Sequence, residues 1–399
     1  MSDIIFVVNA GSSSIKFKMY EVKDGVVANE ANMTGLLDGI GVRPHIKVKD
    51  LEGGVLLDES FTAEEIPNAT EGKRILAEWL RPRVGDLIIG IGHRVVHGGP
   101  NYSEPVLIDD KVMETLEGFV SLAPLHQLSN LDPIKLMRER RPDLPQVACF
   151  DTAFHREHPE ISDRFAIPRS FYDEGVRRYG FHGLSYEYVS GRLRTLAPAI
   201  GRGKVVICHL GSGASVCGLK NGHSIESTMG FTALDGLPMG TRSGSLDPGV
   251  VLHLIEEKGM SAHDVGTMLY RQSGLLGLSG ISNDVRDLLA STEPSAAMAL
   301  DYFCLKVAQA VTKLATSLGG LDGLVFTAGI GENSPEVRKK VCDLLGWVGV
   351  DIDDEANETR GATLISKTTS KTAVFMVPTD EERMIAIHTL RLLRGTGHI

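Results

Sequence analysis

The sequence predicts an α/β protein of two domains built on one shared core design, and three observations carry that prediction. Short apolar, β-branched runs end three times in Gly/Ser-rich turns: Ile4 to Val8 enters Asn9-Ala-Gly-Ser-Ser-Ser14, Lys204 to Cys208 enters His209-Leu-Gly-Ser-Gly-Ala-Ser215, and Gly323 to Thr327 enters Ala328-Gly-Ile-Gly-Glu-Asn333. The first two turns echo one another from opposite halves of the chain, Gly11 aligning with Gly211 and Ser12 with Ser212, which suggests a duplication. Before the third, Phe303, Val307, Val311, Leu314 and Leu318 recur at helical spacing up to Gly319-Gly320, so a helix feeds directly into a parallel strand. A length of 399 residues accommodates two domains with an active site in the cleft between them.

The elements follow in order. Ile4 to Val8 and the returning Ile15, Phe17 and Tyr20 form a hairpin. Pro44 to Ser60 alternates poorly, carries turn residues and predicts no element. Leu87-Ile-Ile-Gly-Ile-Gly-His-Arg94 is a buried run that ends on an arginine, and Val147-Ala-Cys-Phe-Asp151 is another that ends on a carboxylate. The second hairpin, from Lys204, closes through Val216-Cys-Gly-Leu and the turn Lys220-Asn-Gly-His. Ser334 as N-cap with Pro335 at the first helical position opens a helix of Glu336 to Leu345. Val374 to Val377 is a last strand before Asp380-Glu-Glu382, acids that suit either Mg²⁺ or the first turn of a helix carrying Met384, Ile387 and Leu390. The expected domains are 1–150 with 383–399, and 151–382.

Composition narrows the function. Forty-one basic against 51 acidic residues give a net charge of -10 without a Lys/Arg-rich tract, which argues against a nucleic-acid partner. The start carries an acid where a signal peptide needs basic residues, and no apolar run is long enough to span a bilayer. Five scattered cysteines without a Cys-x-x-Cys pair fit a reduced, cytoplasmic compartment. His93-x3-His97 and His155-x2-His158 lack the glutamate of a His-Glu-x-x-His zinc site. There is no Gly-x4-Gly-Lys-Ser/Thr loop, and Gly211-Ser-Gly-Ala-Ser-Val lacks the third glycine of a dinucleotide fingerprint.

What remains is chemistry directed at anions. Glycines let backbone N–H groups approach a phosphate and hydroxyls add donors; each turn alone reads more readily as structural, and it is the three together, two of them mirrored, that point to a nucleotide. Arg94 and Arg242, both in Gly-rich surroundings, suit bidentate recognition of carboxylate or phosphate, or tie down a loop. Asp151 at a strand end is a catalytic or metal-binding position, or a buried cap. His126 in Ala123-Pro-Leu-His126 and His182 in Arg178-Tyr-Gly-Phe-His-Gly-Leu-Ser185 sit in constrained loops from which a ring nitrogen can donate to a phosphoryl group.

Together these segments resemble the acetate kinase family of the acetate and sugar kinase, Hsp70 and actin superfamily. The match runs in order through Asn9-Ala-Gly-Ser-Ser-Ser-Ile-Lys16, Gly92-His-Arg-Val-Val-His-Gly-Gly99, Ala123-Pro-Leu-His126, Phe150-Asp-Thr-Ala-Phe-His155, Arg178-Tyr-Gly-Phe-His-Gly183, His209-Leu-Gly-Ser-Gly213, Met239-Gly-Thr-Arg-Ser-Gly244, Ala328-Gly-Ile-Gly-Glu-Asn333 and Pro378-Thr-x-Glu-Glu382. The resemblance implies a duplicated ribonuclease H-like, actin-like fold with an interdomain cleft, and the reversible reaction of ATP and acetate to ADP and acetyl phosphate. It further implies Mg²⁺, for which Mn²⁺ can substitute, and a homodimer.

Position by position, the resemblance assigns Asn9, Ser12, Ser14 and Lys16 to one phosphate-side turn and His209, Leu210, Gly211, Ser212 and Gly213 to the other. Ala328, Gly329, Ile330, Gly331, Glu332 and Asn333 are assigned to adenosine, and Asn9, Asp151 and Glu381 to the metal. Arg94, Arg242, His182 and His126 are expected around the transferring phosphoryl with Asp151, and Arg94, Val96, Leu125, Phe181 and Ala233 around the acid. Three residues depart from the family pattern: Ser212 where Asn is frequent, Asp380 where Asn is common, and Ala233 where Pro is usual. A roomier acyl pocket follows from the last, so a propionate or other short-chain carboxylate kinase is the runner-up. A sugar kinase fits less well, because a hydroxyl nucleophile wants a carboxylate base and the expected pocket residues are apolar. An ATP-switched binding module lacks the residues for a partner-binding domain.

Overall fold

The computed structural model describes residues 3–11, 14–123 and 127–398. Met1–Phe154 with Asp380–Ile399 forms one compact unit and His155–Thr379 a second. The breaks fall at 154/155 and 379/380 rather than at 150/151 and 382/383, so Asp151, Glu381 and Glu382 belong to the first unit. The reason is local: Asp151 is held by its own strand neighbourhood, its backbone N–H donating to Val95 O, and Glu381 opens the helix Glu381–Gly395 that packs in that unit.

The first unit carries strands β1 (Asp3–Ala10), β2 (Ile15–Lys23), β3 (Val26–Val27), β4 (Met33–Asp38), β5 (His45–Asp50), β6 (Val55–Ser60), β7 (Ile88–Val95), β8 (Val106–Leu107) and β9 (Gln146–Phe150). They form one sheet in the order β6-β5-β4-β2-β1-β7-β9-β8, with β3 on β2. The second unit carries β10 (Lys204–Leu210), β11 (Ala214–Lys220), β12 (His223–Ser227), β13 (Gly323–Thr327) and β14 (Ala373–Met376), in the order β12-β11-β10-β13-β14.

The duplication is exact at the level of strand pairing. In the first unit β4, β2 and β1 pair antiparallel while β1, β7 and β9 pair parallel. In the second, β12, β11 and β10 pair antiparallel while β10, β13 and β14 pair parallel. Five strands in the same order with the same directions are the actin-like core twice over. Each hairpin turn therefore sits at the same place in its own sheet, beside the carboxyl ends of the parallel strands, where open α/β sheets bind ligands.

Packing explains the glycine spacing of β7. The helix Glu381–Gly395 lies on this sheet, and a Cβ at Gly92 would collide with Ile385 and Thr389, one at Gly90 with Leu393. The bare backbone lets the helix approach, which carries Glu381 to the end of β7 beside Arg94. In the second unit the helix Pro294–Leu318 buries Phe303, Val307, Val311, Leu314 and Leu318 and stops on Gly319 at φ 71°, as its periodicity predicts.

Two expectations change. Pro44 to Ser60 is an edge hairpin, β5 and β6 pairing antiparallel across Leu51-Glu-Gly-Gly54. Asn333 and the glycines before it do not form an open turn: Ala328–Asn333 is a short helix, entered through Ala328 at φ 65°. Glu332 makes that possible, because its Oε1 accepts from the N–H groups of Ala328 (2.8 Å) and Thr379 (3.0 Å).

Candidate active site

In the first unit, the ends of β1, β7 and β9 bring together Asn9, Arg94 and Asp151. Arg94 Nε donates to Asp151 Oδ1 at 3.0 Å and Nη2 to Oδ2 at 2.5 Å, a two-pronged pair, while Nη1 reaches Asn9 Oδ1 at 3.4 Å. Asp151 is 2 % exposed while Arg94 remains half-buried, so the carboxylate is desolvated and held by the two-pronged contact. Glu381 Oε2 lies 4.0 Å from Arg94 Nε, and Glu382 Oε1 accepts from Asn9 Nδ2 at 3.4 Å. Burial pushes the Glu381 carboxyl well above the ordinary carboxylate range, and the charges of Asp151 and Glu382 add to the shift against the pull of Arg94 and Lys16.

That surplus of buried negative charge is the test of fit for a divalent cation. No three His, Cys, Asp or Glu side chains among the described residues form a ready cage. Mg²⁺ needs none, since it takes one or two carboxylates, keeps waters and shares substrate phosphates. Asn9, Asp151 and Glu381 fit that mode. Asp380 is turned to other partners: it caps the helix Glu381–Gly395 at the Arg383 N–H, accepts from Tyr20 OH at 3.2 Å and from Lys18 Nζ at 2.8 Å, a cation it shares with Glu382 at 3.3 Å.

Val96 is buried in the same unit, its N–H donating to Asn130 Oδ1. In the turn after β1, Gly11 N–H donates to Ser14 O, and Lys16 is exposed on β2. Ser12, Leu125 and His126 lie outside the described residues.

The second unit places its residues around the β10–β11 turn. Gly211 N–H donates to Gly213 O, and Ser212 O accepts from Gly240 N–H, which anchors the turn to the loop that carries Arg242. That loop is held by Leu275 N–H to Met239 O and Ser273 N–H to Thr241 O. Arg242 Nη1 donates to Ala233 O at 2.9 Å and lies 3.5 Å from Met239 Sδ. Ala233 thus touches the arginine through its backbone, a contact proline would also supply.

His182 is the N-cap of the helix Gly183–Leu196 in left-handed conformation, φ 58°, a strained position for a residue with a Cβ. Gly180 before it, φ 73°, fits only without a Cβ because the His155 ring lies against it. The His182 and His209 rings stack with centroids 4.1 Å apart. A Cβ at Gly213 would stand 3.2 Å from His182 Nε2 and 3.8 Å from Arg242 Nη1, so the two donors converge on this glycine. Phe181 is buried beside them in sequence.

A cavity of about 860 Å³ opens in this unit between Gly211 and Ser212, Gly329, Ile330 and Asn333, and the Asn283–Ala290 segment. Of the residues expected at adenosine, Gly329, Ile330 and Asn333 line it, whereas Glu332 is turned inward as the cap described above. Leu210 is fully buried, its side chain in the core rather than toward the cavity. Asn283, Asp284, Val285, Arg286 and Leu289 form a wall that sequence reasoning missed. Asp284 caps the helix Val285–Ala290 and its carboxylate pairs with Arg286, so the stretch reads as an ordinary helix start. Its Gly280-Ile-Ser-Asn-Asp284 lead-in was the available signal.

His155 and His158 share the Ser224 hydroxyl at 2.8 and 2.6 Å inside the unit, a buried hydrogen-bonded pair rather than a metal site. Among the described residues no helix is long and apolar enough to cross a membrane.

The family model described as "Acetokinase family" matches residues 4–387. An acetate kinase of Nitrobacter hamburgensis is 54 % identical over 392 residues, 98 % of this chain and 96 % of that protein. Among solved structures, a propionate kinase from Francisella tularensis superposes with TM-score 0.91 at 34 % identity, covering 98 % of this chain and 100 % of that one. Porphyromonas gingivalis acetate kinase does so with TM-score 0.87 at 35 % identity, covering the same shares. With a match that spans nearly its whole length, the chain belongs to the acetokinase family.

Proposed function

We propose that the chain transfers the γ-phosphoryl group of ATP directly and in line to acetate, giving ADP and acetyl phosphate reversibly. The observation that carries this is the convergence of Arg242 Nη1 and His182 Nε2 on Gly213, at a turn whose Gly211 and Ser212 line the nucleotide-sized cavity. Acetate is already ionised at neutral pH, so it needs no general base. The barrier is the approach of one anion to another, and fixed donors around the phosphoryl lower it, an arginine by about 10³–10⁵ in rate.

In this reading the cavity takes adenosine, the Gly211–Gly213 turn faces the phosphates, and Arg242 and His182 hold the equatorial oxygens in flight. Asn9, Ser12, Ser14 and Lys16 serve the phosphates from the first unit, with His126 assisting at the phosphoryl. Arg94, oriented by Asp151, holds the carboxylate, and Val96, Leu125, Phe181 and Ala233 bound its methyl group. Asn9, Asp151 and Glu381 would hold Mg²⁺ or Mn²⁺, directly or through its waters, and the ion supplies charge neutralisation on the phosphate oxygens. A homodimer is supported by the helix Pro248–Glu256, which buries none of its residues although Val250, Leu252 and Ile255 are apolar. A second copy covers that helix, and Leu252→Glu is expected to shift sedimentation toward the monomer. Cys208, Cys217, Cys304 and Cys342 are buried free thiols, which supports a reducing, cytoplasmic location.

The test is a panel of acetate, propionate and butyrate with Mg-ATP, read as kcat/KM. Acetate is expected to lead, propionate to follow and butyrate to be poor, because in this reading Val96 caps the site while Ala233 leaves room. A methylene is worth about 1–3 kcal/mol in a shaped apolar pocket. Ala233→Pro is expected to sharpen the acetate-to-propionate ratio and Val96→Ala to flatten it. An unchanged ratio in Ala233→Pro removes Ala233 from the pocket wall, and a propionate lead in the unaltered protein favours the propionate kinase reading.

A further inference from the structure

His182 and His209 form a stacked pair, centroids 4.1 Å apart and planes 17° from parallel, and each Nδ1 meets a buried serine hydroxyl. His182 Nδ1 lies 2.8 Å from Ser215 Oγ, and His209 Nδ1 lies 2.8 Å from Ser185 Oγ. Both serines are fully buried. Behind Ser215 stands Tyr186, fully buried, its OH 2.5 Å from the same Oγ.

The direction of these bonds follows from counting hydrogens. Tyr186 has one hydroxyl hydrogen, and among the described residues Ser215 Oγ is the acceptor in reach. Ser215 likewise has one hydrogen and, among the described residues, two side-chain neighbours, Tyr186 OH and His182 Nδ1. If Tyr186 donates to Ser215 and Ser215 donates to Nδ1, every hydrogen has an acceptor. In the reverse order the ring donates to Ser215 and Ser215 donates to the phenol, which leaves the phenolic hydrogen buried without an acceptor. A buried unsatisfied donor costs about 1–3 kcal/mol, enough to decide the order. Ser185 repeats the logic, since His209 Nδ1 is the acceptor within its reach among the described residues.

We infer that Ser215, backed by Tyr186, and Ser185 are positioning residues that fix His182 and His209 as the tautomers protonated at Nε2, so that both rings present N–H donors to the Gly211–Gly213 turn. The geometry carries it. His182 Nε2 lies 3.2 Å from where a Gly213 Cβ would stand, and His209 Nε2 lies 3.9 Å from where a Gly211 Cβ would stand. An unprotonated Nε2 there would turn a lone pair toward phosphate oxygens and repel them. Arg242, its Nη1 3.8 Å from the same Gly213 point, supplies the full positive charge. The role in transfer rests on the kinase reading above, but the tautomers do not.

Two measurements test it. In ¹⁵N-histidine-labelled protein without substrates at pH 8, His182 and His209 are expected to show a pyrrole-type Nε2 and a pyridine-type Nδ1. The opposite assignment for His182 overturns the proposal whatever the enzyme acts on. Ser215→Ala is then expected to lower kcat by about 10-fold with KM for Mg-ATP changed far less, the scale typical of partners that act through another residue. In a His182→Ala background the same substitution is expected to add little, because its effect runs through the ring. An equal loss in both backgrounds means a general structural role and overturns the inference.

Discussion

Arg242 reaches its position through a backbone carbonyl, Ala233 O at 2.9 Å, on a loop tied to Ser212 O by Gly240 N–H. Arg94 reaches its own through a carboxylate, and this difference has a consequence. Truncating Arg94 strands Asp151 as a buried charge and so disturbs the fold, whereas Arg242 Nη1 is held by an uncharged acceptor, Ala233 O. Arg242→Ala is therefore the cleaner probe of transition-state stabilisation. Turnover is expected to fall at least about 10²-fold, the loss typical of one donor to developing charge, while Tm stays near that of the unaltered protein. A stably folded variant that keeps more than about a tenth of wild-type turnover contradicts the role, since that loss is too small for such a donor. At this scale the sequence was informative because Arg94, Arg242, Asp151 and His182 stand next to glycines or strand ends. Ser215, Tyr186 and Ser185 were not legible, because their partners come from a strand and a helix that only the fold aligns.

The helix Glu381–Gly395 shows how an element serves the site. Its N-cap Asp380 accepts from Arg383 N–H at 3.2 Å and also binds Lys18 and Tyr20 on β2, so the cap fixes where Glu381 begins. Asp380→Ala is expected to cost about 1–2 kcal/mol in urea unfolding, and Asp380→Asn, which keeps a capping oxygen, about half of that or less. Equal losses would show that the pairing with Lys18 outweighs the cap. The acids of this segment were readable both as metal donors and as a helix start, and the structure makes the two compatible: Asp380 caps while Glu381 turns toward Arg94. Other elements were less legible. β5 and β6 lie at a sheet edge and β6 buries only Leu57, so no strong alternation marks them. Ala328–Asn333 contains two glycines and is helical through the reach of the Glu332 carboxylate, a contact that propensity does not encode.

At the scale of the molecule, the repeated order of five strands follows from two hairpins and two helix-to-strand crossovers, which is why an echo of two short turns was enough to expose the duplication. The buried histidines set a pH dependence for the whole fold. Burial lowers His93 to about 4 and His155 to about 3, with His158 adding to the shift of the latter. Unfolded histidine titrates near 6.5, so their contribution is complete above that pH and is lost as pH falls toward 4, where the unfolded chain binds protons that the folded chain refuses. Glu381 acts with the opposite sign, its raised value costing stability as pH climbs through its window. Comparing His93→Gln with the unaltered protein isolates one ring: the stability lost between pH 7 and pH 5 is expected to shrink by up to about 2 kcal/mol. An identical loss in both would place the His93 titration elsewhere. The central claim concerns the product. Purified protein with Mg-ATP, acetate and hydroxylamine is expected to yield acetohydroxamate in a one-to-one ratio with ADP, and neither product when acetate is withheld. Acetate-independent ADP release, or ADP without hydroxamate, would contradict direct transfer of the phosphoryl group to the carboxylate.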